Sequence, residues 1–402
     1  MKIDFKRKCF SEIASIYNGN SISKKDKEEL YTDISNGTPY VATKDVLLDH
    51  SIIYDNGISI PVDKKCNFKI APPQSVLICS EGGSAGKKVA HTDCETHFGN
   101  KLFAIVPNEG VLSKYIFYFT LSSEFKRSFN ALMTGVIGGV SLKKFKSISI
   151  PIPTIEEQKF IVSSLEGSIN NINELNANNI NMLESIDELY NSYLAETFLL
   201  ENTKKKNWEV LKLKDVCEKI TDGVHKKPVY TDSGVPFIKI NNLTAGPGIS
   251  FEKLSYISED DHKEFCKRTN PEKGDILITK DGTIGVVRII ETDIEFSIFV
   301  SLALLKPKDK SMSKYLQFIL ESPLIQDQIK PKGAALKHIY LKDLREYMVP
   351  IAPKNERSKI VERLSYLSEK IELARKVSQD KGLAIKELKQ SILQKAFNGE
   401  LA

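Results

Sequence analysis

Residues 151–162 read PIPTIEEQKFIV, and residues 350–361 read PIAPKNERSKIV. The two stretches stand 350 − 151 = 199 positions apart, and sliding the chain by that offset aligns 151–198 with 350–397 without a gap. Thirteen of the 48 pairs are identical, among them Pro151/Pro350, Glu157/Glu356, Leu165/Leu364, Ile172/Ile371, Ile186/Ile385, Leu189/Leu388 and Phe198/Phe397. Spacings of 3, 4 and 7 between identities are what burial on one helical face leaves behind. Upstream, VLICSEGGSAG (76–86) parallels ILITKDGTIG (276–285), SKYIFYFTLSS (113–123) parallels SKYLQFILESP (313–323), and GTPYVATKDV (37–46) parallels GVPFIKINNL (234–243). The chain is therefore a duplication. It reads as block 1–150, helix 151–204, block 205–348 and helix 349–402.

Each helical segment starts beside prolines, which suit a first turn because proline lacks an amide that the turn would not use. Acidic side chains follow where the helix dipole favours them. One heptad register fits both copies. In the first it takes Leu165, Ser168, Ile172, Leu175, Asn179, Met182, Ile186, Leu189 and Tyr193; in the second Leu364, Leu367, Ile371, Ala374, Ser378, Lys381, Ile385, Leu388 and Ile392. Seven of nine are apolar in each, which predicts a coiled-coil seam rather than a broad globular face. Asn179 and Ser378 are equivalent polar positions within it. Between the helices, short β-branched runs punctuated by Asn-Gly, Asp-Gly and Pro-Gly turns predict an α+β class, each block being a mixed α/β domain with a curved sheet.

With 402 residues, 41% hydrophobic and 27% charged, the composition is that of a globular protein. No apolar run approaches the length of a spanning helix, and the polar N-terminus has no signal-peptide core, so a cytoplasmic protein with no membrane partner is expected. The net charge of +5 permits a nucleic-acid partner without requiring one. Six cysteines contain no C-x-x-C pair, which argues against a disulfide framework.

Catalytic patterns are missing. EGGSAGKK (81–88) has the wrong glycine spacing for a phosphate loop, and Lys88 stands where a magnesium-binding hydroxyl belongs. His91, Cys94 and His97 offer zinc ligands, but no fourth follows and the second copy has no counterpart. Neither G-x-S-x-G nor H-E-x-x-H occurs. A non-catalytic chain is expected, with no cofactor of its own. Basic and amide side chains instead gather beside turns at matching places in both blocks: Lys44, Lys87, Lys88 and Lys143 in the first, and Asp222, His225, Lys226, Lys227, Lys239, Asn241, Asn242, Lys280 and Lys337 in the second, with Arg288 and His338 nearby. Loop lysines satisfy phosphates, while asparagine and histidine reach base edges, so these are the candidate DNA-binding residues. Solvated surface lysine is the ordinary explanation for any single one; the repetition is what distinguishes the group.

The openings at 151–162 and 350–361, together with the C-terminal LKQSILQKAFNGEL (388–401), resemble the conserved regions of specificity subunits of type I restriction–modification systems. The resemblance spans the whole chain. The second copy departs from the pattern where Arg357 replaces the equivalent of Gln158 and Lys354 an apolar residue. The resemblance implies two target-recognition domains on double-stranded DNA, each reading half of a split target, with the helices pairing antiparallel as spacer. It implies docking of two adenine methyltransferase subunits on the helical regions, where Leu165, Ile172, Leu175, Ile186, Leu189, Leu364, Ile371, Ile385, Leu388 and Ile392 form the seam and partner interface. An endonuclease/translocase subunit would complete the assembly, and S-adenosylmethionine, ATP and magnesium would belong to the partners. Two other readings stay open: a stand-alone DNA modification enzyme or nuclease with an unfamiliar site, and a coiled-coil adaptor without DNA affinity.

Overall fold

The computed structural model of the chain describes residues 5–32, 34–136, 138–199, 208–329 and 338–401. It forms two compact units, Met1–Asn179 with Asp380–Ala402, and Ile180–Gln379. Both unit boundaries fall inside the long helices, Ile155–Phe198 and Lys354–Phe397, so each unit comprises one recognition block and a half of each helix.

The first unit carries β1 (Arg7–Cys9), β2 (Ala14–Asn18), β3 (Gly37–Val41), β4 (Ser59–Pro61), β5 (Ile70–Ala71), β6 (Val76–Cys79), β7 (Val89–His91), β8 (Thr96–Phe98), β9 (Leu102–Pro107) and β10 (Ser149–Pro151). A four-stranded sheet runs β2-β9-β6-β7, a second runs β4-β3-β8-β5, and β1 pairs with β10. The second unit carries β11 (Glu209–Lys212), β12 (Cys217–Asp222), β13 (Val235–Ile238), β14 (Ser255–Ile257), β15 (Ile276–Thr279), β16 (Val287–Ile289), β17 (Ser297–Ile298), β18 (Leu302–Pro307) and β19 (Met348–Ile351). Its main sheet, β12-β18-β15-β16, repeats the first strand for strand, beside a smaller β14-β13-β17 sheet and the β11-β19 pair. All pairs in both main sheets are antiparallel, whereas β3/β8 and β13/β17 are parallel.

The central strands VLIC and ILIT lack polar alternation because both of their faces are covered. Val76 and Ile78 point into the core shared with the helices, while Leu77 and Cys79 point toward the second sheet. Ile276 and Ile278 divide from Leu277 in the same way. Alternate residues on a strand face opposite sides, so one continuous apolar run serves two cores.

The repeated SKY tripeptides bind the helix openings. Tyr115 Oη donates to the Pro151 carbonyl at 2.8 Å, and Tyr315 Oη to the Pro350 carbonyl at 3.0 Å. Pro151 and Pro350 thus end up in β10 and β19, ahead of the helices rather than in their first turns. Thr154 caps the first helix, with its amide and hydroxyl both 2.8 Å from Glu157 Oε2, a capping box of the Thr-x-x-Glu kind. Gln158 is fully buried; its Oε1 accepts from the Leu112 amide, and its Nε2 donates to the Gly110 and Pro153 carbonyls. In the second copy, Glu356 instead accepts from Trp208 Nε1 at 2.9 Å.

The two long helices pack antiparallel within each unit. In the first, Ile161, Leu165 and Ile169 share a core with Leu393, Ala396 and Phe397, and a Cβ at Gly382 would stand 3.7 Å from Asn179 Nδ2. In the second, Leu194 and Phe198 share a core with Leu364, and Arg375 Nη2 meets Asp187 at 2.6 Å. One row of the expected seam is buried: Leu165, Ile172, Asn179, Leu364, Ile371, Ser378 and Ile385, with Ile186 half-buried. The other row is not a buried seam: Leu175, Leu189 and Leu388 are 43%, 64% and 45% exposed, and Ile392, which continues the buried row, is half-buried. Burial shifts instead to Ile169 and Leu393, which meet the domain core rather than continue a heptad, since Asn176 and Lys386, seven residues away, are exposed.

Removing either tyrosine hydroxyl leaves a buried carbonyl without its donor. Tyr115→Phe and Tyr315→Phe are each expected to lower stability by about 1–2 kcal/mol in urea unfolding, with unchanged circular dichroism.

Candidate nucleic-acid interface

Antiparallel pairing gathers several loops at one edge of each main sheet. In the first unit, the Gly19 amide meets the Leu102 carbonyl, the Ser80 amide the Lys101 carbonyl, the Gly99 amide the Val41 carbonyl, and the Val140 amide the Ser80 carbonyl. The second unit repeats this rim through Gly223 to Leu302, Lys280 to Ser301, Phe299 to Ile238 and Ile339 to Lys280. The approach is close: a Cβ on Gly19 would stand 1.9 Å from the Phe98 carbonyl oxygen, and one on Gly223 2.2 Å from that of Ile298. Glycine is required at both crossings, because no real Cβ tolerates such contacts.

The expected residues divide between exposed positions and hydrogen-bonded ones. Lys44 is exposed beside β3, and Lys88 Nζ donates to the Thr43 carbonyl at 2.9 Å, tying two loops. Lys87 is exposed and donates to Gly83 O, and Lys143 is exposed on the helix Leu142–Lys146. In the second unit His225, Lys226, Lys227 and Asn241 are exposed. Lys239 donates to Ser255 Oγ at 2.7 Å and lies 4.8 Å over the Tyr230 ring, a cation–π contact. Lys337 lies outside the described residues.

Asp222, Asn242 and Lys280 are corrected from surface contacts to supports. Lys280 Nζ stands 3.1 Å from Asp222 Oδ2, and both side chains are 5% exposed. Asn242 is buried, accepting from the Lys239 amide and donating to the Ser250 carbonyl. Buried groups whose hydrogen bonds are taken cannot address a groove without breaking them. Arg288 also turns away, donating to the Gly246 carbonyl at 2.6 Å. The residue that sequence reading missed is Arg268. Its guanidinium pairs with Asp222 and lies 3.3 Å from His225 Nε2, while its side chain stays half exposed. Forty-six residues separate Arg268 from Asp222, so no local motif could have announced it. Asp281 pairs with His338 across the same rim.

The zinc candidates are engaged separately: His91 Nε2 with Ser113 Oγ at 2.8 Å, Cys94 Sγ with Thr96 Oγ1 at 3.7 Å, and His97 Nδ1 with the Lys69 carbonyl at 3.1 Å. The glycine turn of 81–86 links β6 toward the short strand β7, and its Glu81 pairs with Lys101 at 3.0 Å.

Burial alone would raise the Asp222 carboxyl, but hydrogen bonds and charge from Arg268 and Lys280 hold it below the usual aspartate range. A carboxyl depressed in the folded state contributes stability above its unfolded pKa near ~3.9, and loses it as pH falls through the folded value. Asp222→Asn strands the buried Lys280 charge and is expected to cost about 3 kcal/mol at pH 7. Urea unfolding at pH 7 and pH 3 should show that cost shrinking in acid.

Known proteins match this architecture. The family model described as type I restriction modification DNA specificity domain matches residues 2–185 and again 205–380. The MjaIX specificity subunit of Methanocaldococcus jannaschii is 23% identical over 99% of this chain and 94% of its own length. The Escherichia coli EcoBI specificity subunit is 23% identical over 98% of this chain and 86% of its own length. A chain from a structural study of complex assembly and conformational transition in the type I R-M system superposes with a TM-score of 0.76 at 19% identity, covering 99% of this chain and 98% of that one. The HsdS subunit of Thermoanaerobacter tengcongensis gives a TM-score of 0.53 at 19% identity, covering 99% and 97%. The two matched segments coincide with the two halves of the duplication: the chain belongs to the type I restriction–modification DNA specificity family, as a non-catalytic specificity subunit.

Proposed function

We propose that this specificity subunit reads a two-part DNA target, one part per recognition domain, with the paired helices setting the gap between them. The observation that carries the reading is the repeated loop rim, which in each domain presents exposed cationic side chains on loops held by the same backbone bonds. Lys226, Lys227, His225 and Arg268 in the second domain, and Lys44, Lys87 and Lys143 in the first, are the surface groups assigned to DNA. Cationic side chains at loop tips bind phosphates and position the domain, and amide or guanidinium groups add base discrimination.

The reading extends to partners. Adenine methyltransferase subunits dock on the helical regions, an endonuclease/translocase subunit joins them, and S-adenosylmethionine, ATP and magnesium are bound by those subunits. Leu189 and Leu388 support this, being identical and exposed at the same place in both repeats. A pair of solvated leucines duplicated at one position suits a surface covered twice by the same partner.

Salt-dependent binding to a specific duplex, followed by gel shift with and without a methyltransferase partner, separates this reading from a coiled-coil adaptor. Lys226→Gln with Lys227→Gln should weaken binding across sequences and shallow the salt slope by about 1–2; unchanged affinity and slope would contradict the assigned rim. Leu189→Asp with Leu388→Asp should abolish methyltransferase association without lowering thermal stability, whereas Ile172→Asp with Ile371→Asp should lower both. Retained assembly in the leucine variant would sink the docking assignment.

A further inference from the structure

Beneath the first recognition domain lies a cavity of about 520 Å³, walled by the second long helix. Lys87, Lys126, Lys386 and Lys389 line it together with His50, and no carboxylate appears among its described lining residues. Lys126, Lys386 and Lys389 make no ion pair among the described residues. Desolvation pulls the Lys126 and Lys389 amines below the ordinary lysine value, and the Lys389 charge lowers Lys126 further. His50 Nδ1 is occupied by the Val89 carbonyl at 3.0 Å, and the ring packs edge-on against Phe117. Gln390 closes the wall, its Nε2 donating to the Leu121 carbonyl at 3.3 Å, while its buried Oε1 has no partner among the described residues.

The duplication supplies a control. The same location in the second unit holds a cavity of about 660 Å³. There Lys386 and Lys389 are replaced by Asp187 and Tyr190, at the helix offset of 199, and the Ser-Ser and Ser-Pro pairs at 122–123 and 322–323 place Gln326 opposite Lys126. Arg375 in that cavity is paired with both Asp187 and Glu372, and Gln326 Nε2 donates to the Gly285 and Leu320 carbonyls. One architecture thus carries compensated charge in one copy and, in the other, three amines with no ion pair among the described residues. Shared descent explains the cavity, but not the amines.

We propose that the cavity of the first unit is a phosphate-binding pocket, taking the phosphate of a free nucleotide-like ligand or of the DNA backbone. Convergent ammonium groups offer many donors and charge to a compact multivalent anion, more than a lone carboxylate requires. Lys87 is shared with the surface groups assigned to DNA, whereas Lys126, Lys386 and Lys389 are not among them, so the pyrophosphate test of the pocket does not depend on that assignment.

Two measurements on the full chain decide it, using wild type, Lys126→Gln/Lys389→Gln and the charge-preserving Lys126→Arg/Lys389→Arg. Calorimetric titration with inorganic pyrophosphate reads the free anion. Duplex affinity against salt concentration reads the backbone, where two lost contacts should shallow the slope by about 1.8. A pyrophosphate affinity at least tenfold weaker in the glutamine variant, restored by arginine, with the duplex slope unchanged, identifies a free phosphate ligand. A shallower slope, also restored by arginine, identifies the DNA backbone. Glutamine and wild-type chains that agree in both measurements overturn the pocket. A wild-type chain that binds no duplex defeats the DNA-reading proposal but leaves the pyrophosphate arm to decide this one.

Discussion

Each recognition domain completes its hydrophobic core with side chains from both long helices. In the first unit, Phe10, Tyr115, Phe119 and Phe125 pack in one cluster with Leu165 from the first helix and Leu393 and Phe397 from the second. Phe119 and Phe397 meet edge-to-face with centroids 5.3 Å apart, and Tyr115 and Phe397 at 5.2 Å. In the second unit Tyr315, Phe318 and Val349 do the same with Leu194, Phe198 and Leu364. Each fully buried side chain of this size contributes roughly 1.5–3 kcal/mol, so a helix cannot shift against its domain without losing several such terms at once. The rigidity of the helix–domain junction follows from that packing. The Tyr–Pro hydrogen bonds then set where each helix begins.

The duplication has preserved this framework while letting its polar details diverge. Strand order, glycine crossings and tyrosine anchors recur in both units. The rim charges do not. Asp222 and Lys280 form a buried ion pair in the second domain, where the first has Asn18 and Ser80, the latter bonded to the Lys101 carbonyl. A hydrophobic framework tolerates few changes because its parts share one packed volume. The rim lies outside that shared volume, so its side chains can differ between the two domains. Divergence at the rim with constancy at the junction is the pattern expected of two readers on one scaffold.

The offset of 199 residues revealed the architecture because burial on a helical face leaves periodic identities. It did not reveal which flank of the seam is buried: Leu175 and Leu189 fit the heptad yet are exposed, while Ile169, outside that register, is buried by contact with the domain core. The loop lysines were legible as a group, because turns and charges are local. Their individual fates were not, since the partner that buries Lys280 stands 58 residues away at Asp222. Arg268 escaped notice for the same reason. The basic cavity was equally hidden, because Lys126 and Lys389 meet only after the last helix folds back on the first domain.

The central claim is that two domains on one spacer read a divided target. Genome-wide mapping of N6-methyladenine in a host carrying this chain with a methyltransferase partner tests it most directly. The account predicts a motif of two short specified parts separated by an unspecified gap of constant length, which disappears when the chain is deleted. A continuous motif, or methylation that persists unchanged without the chain, would contradict it.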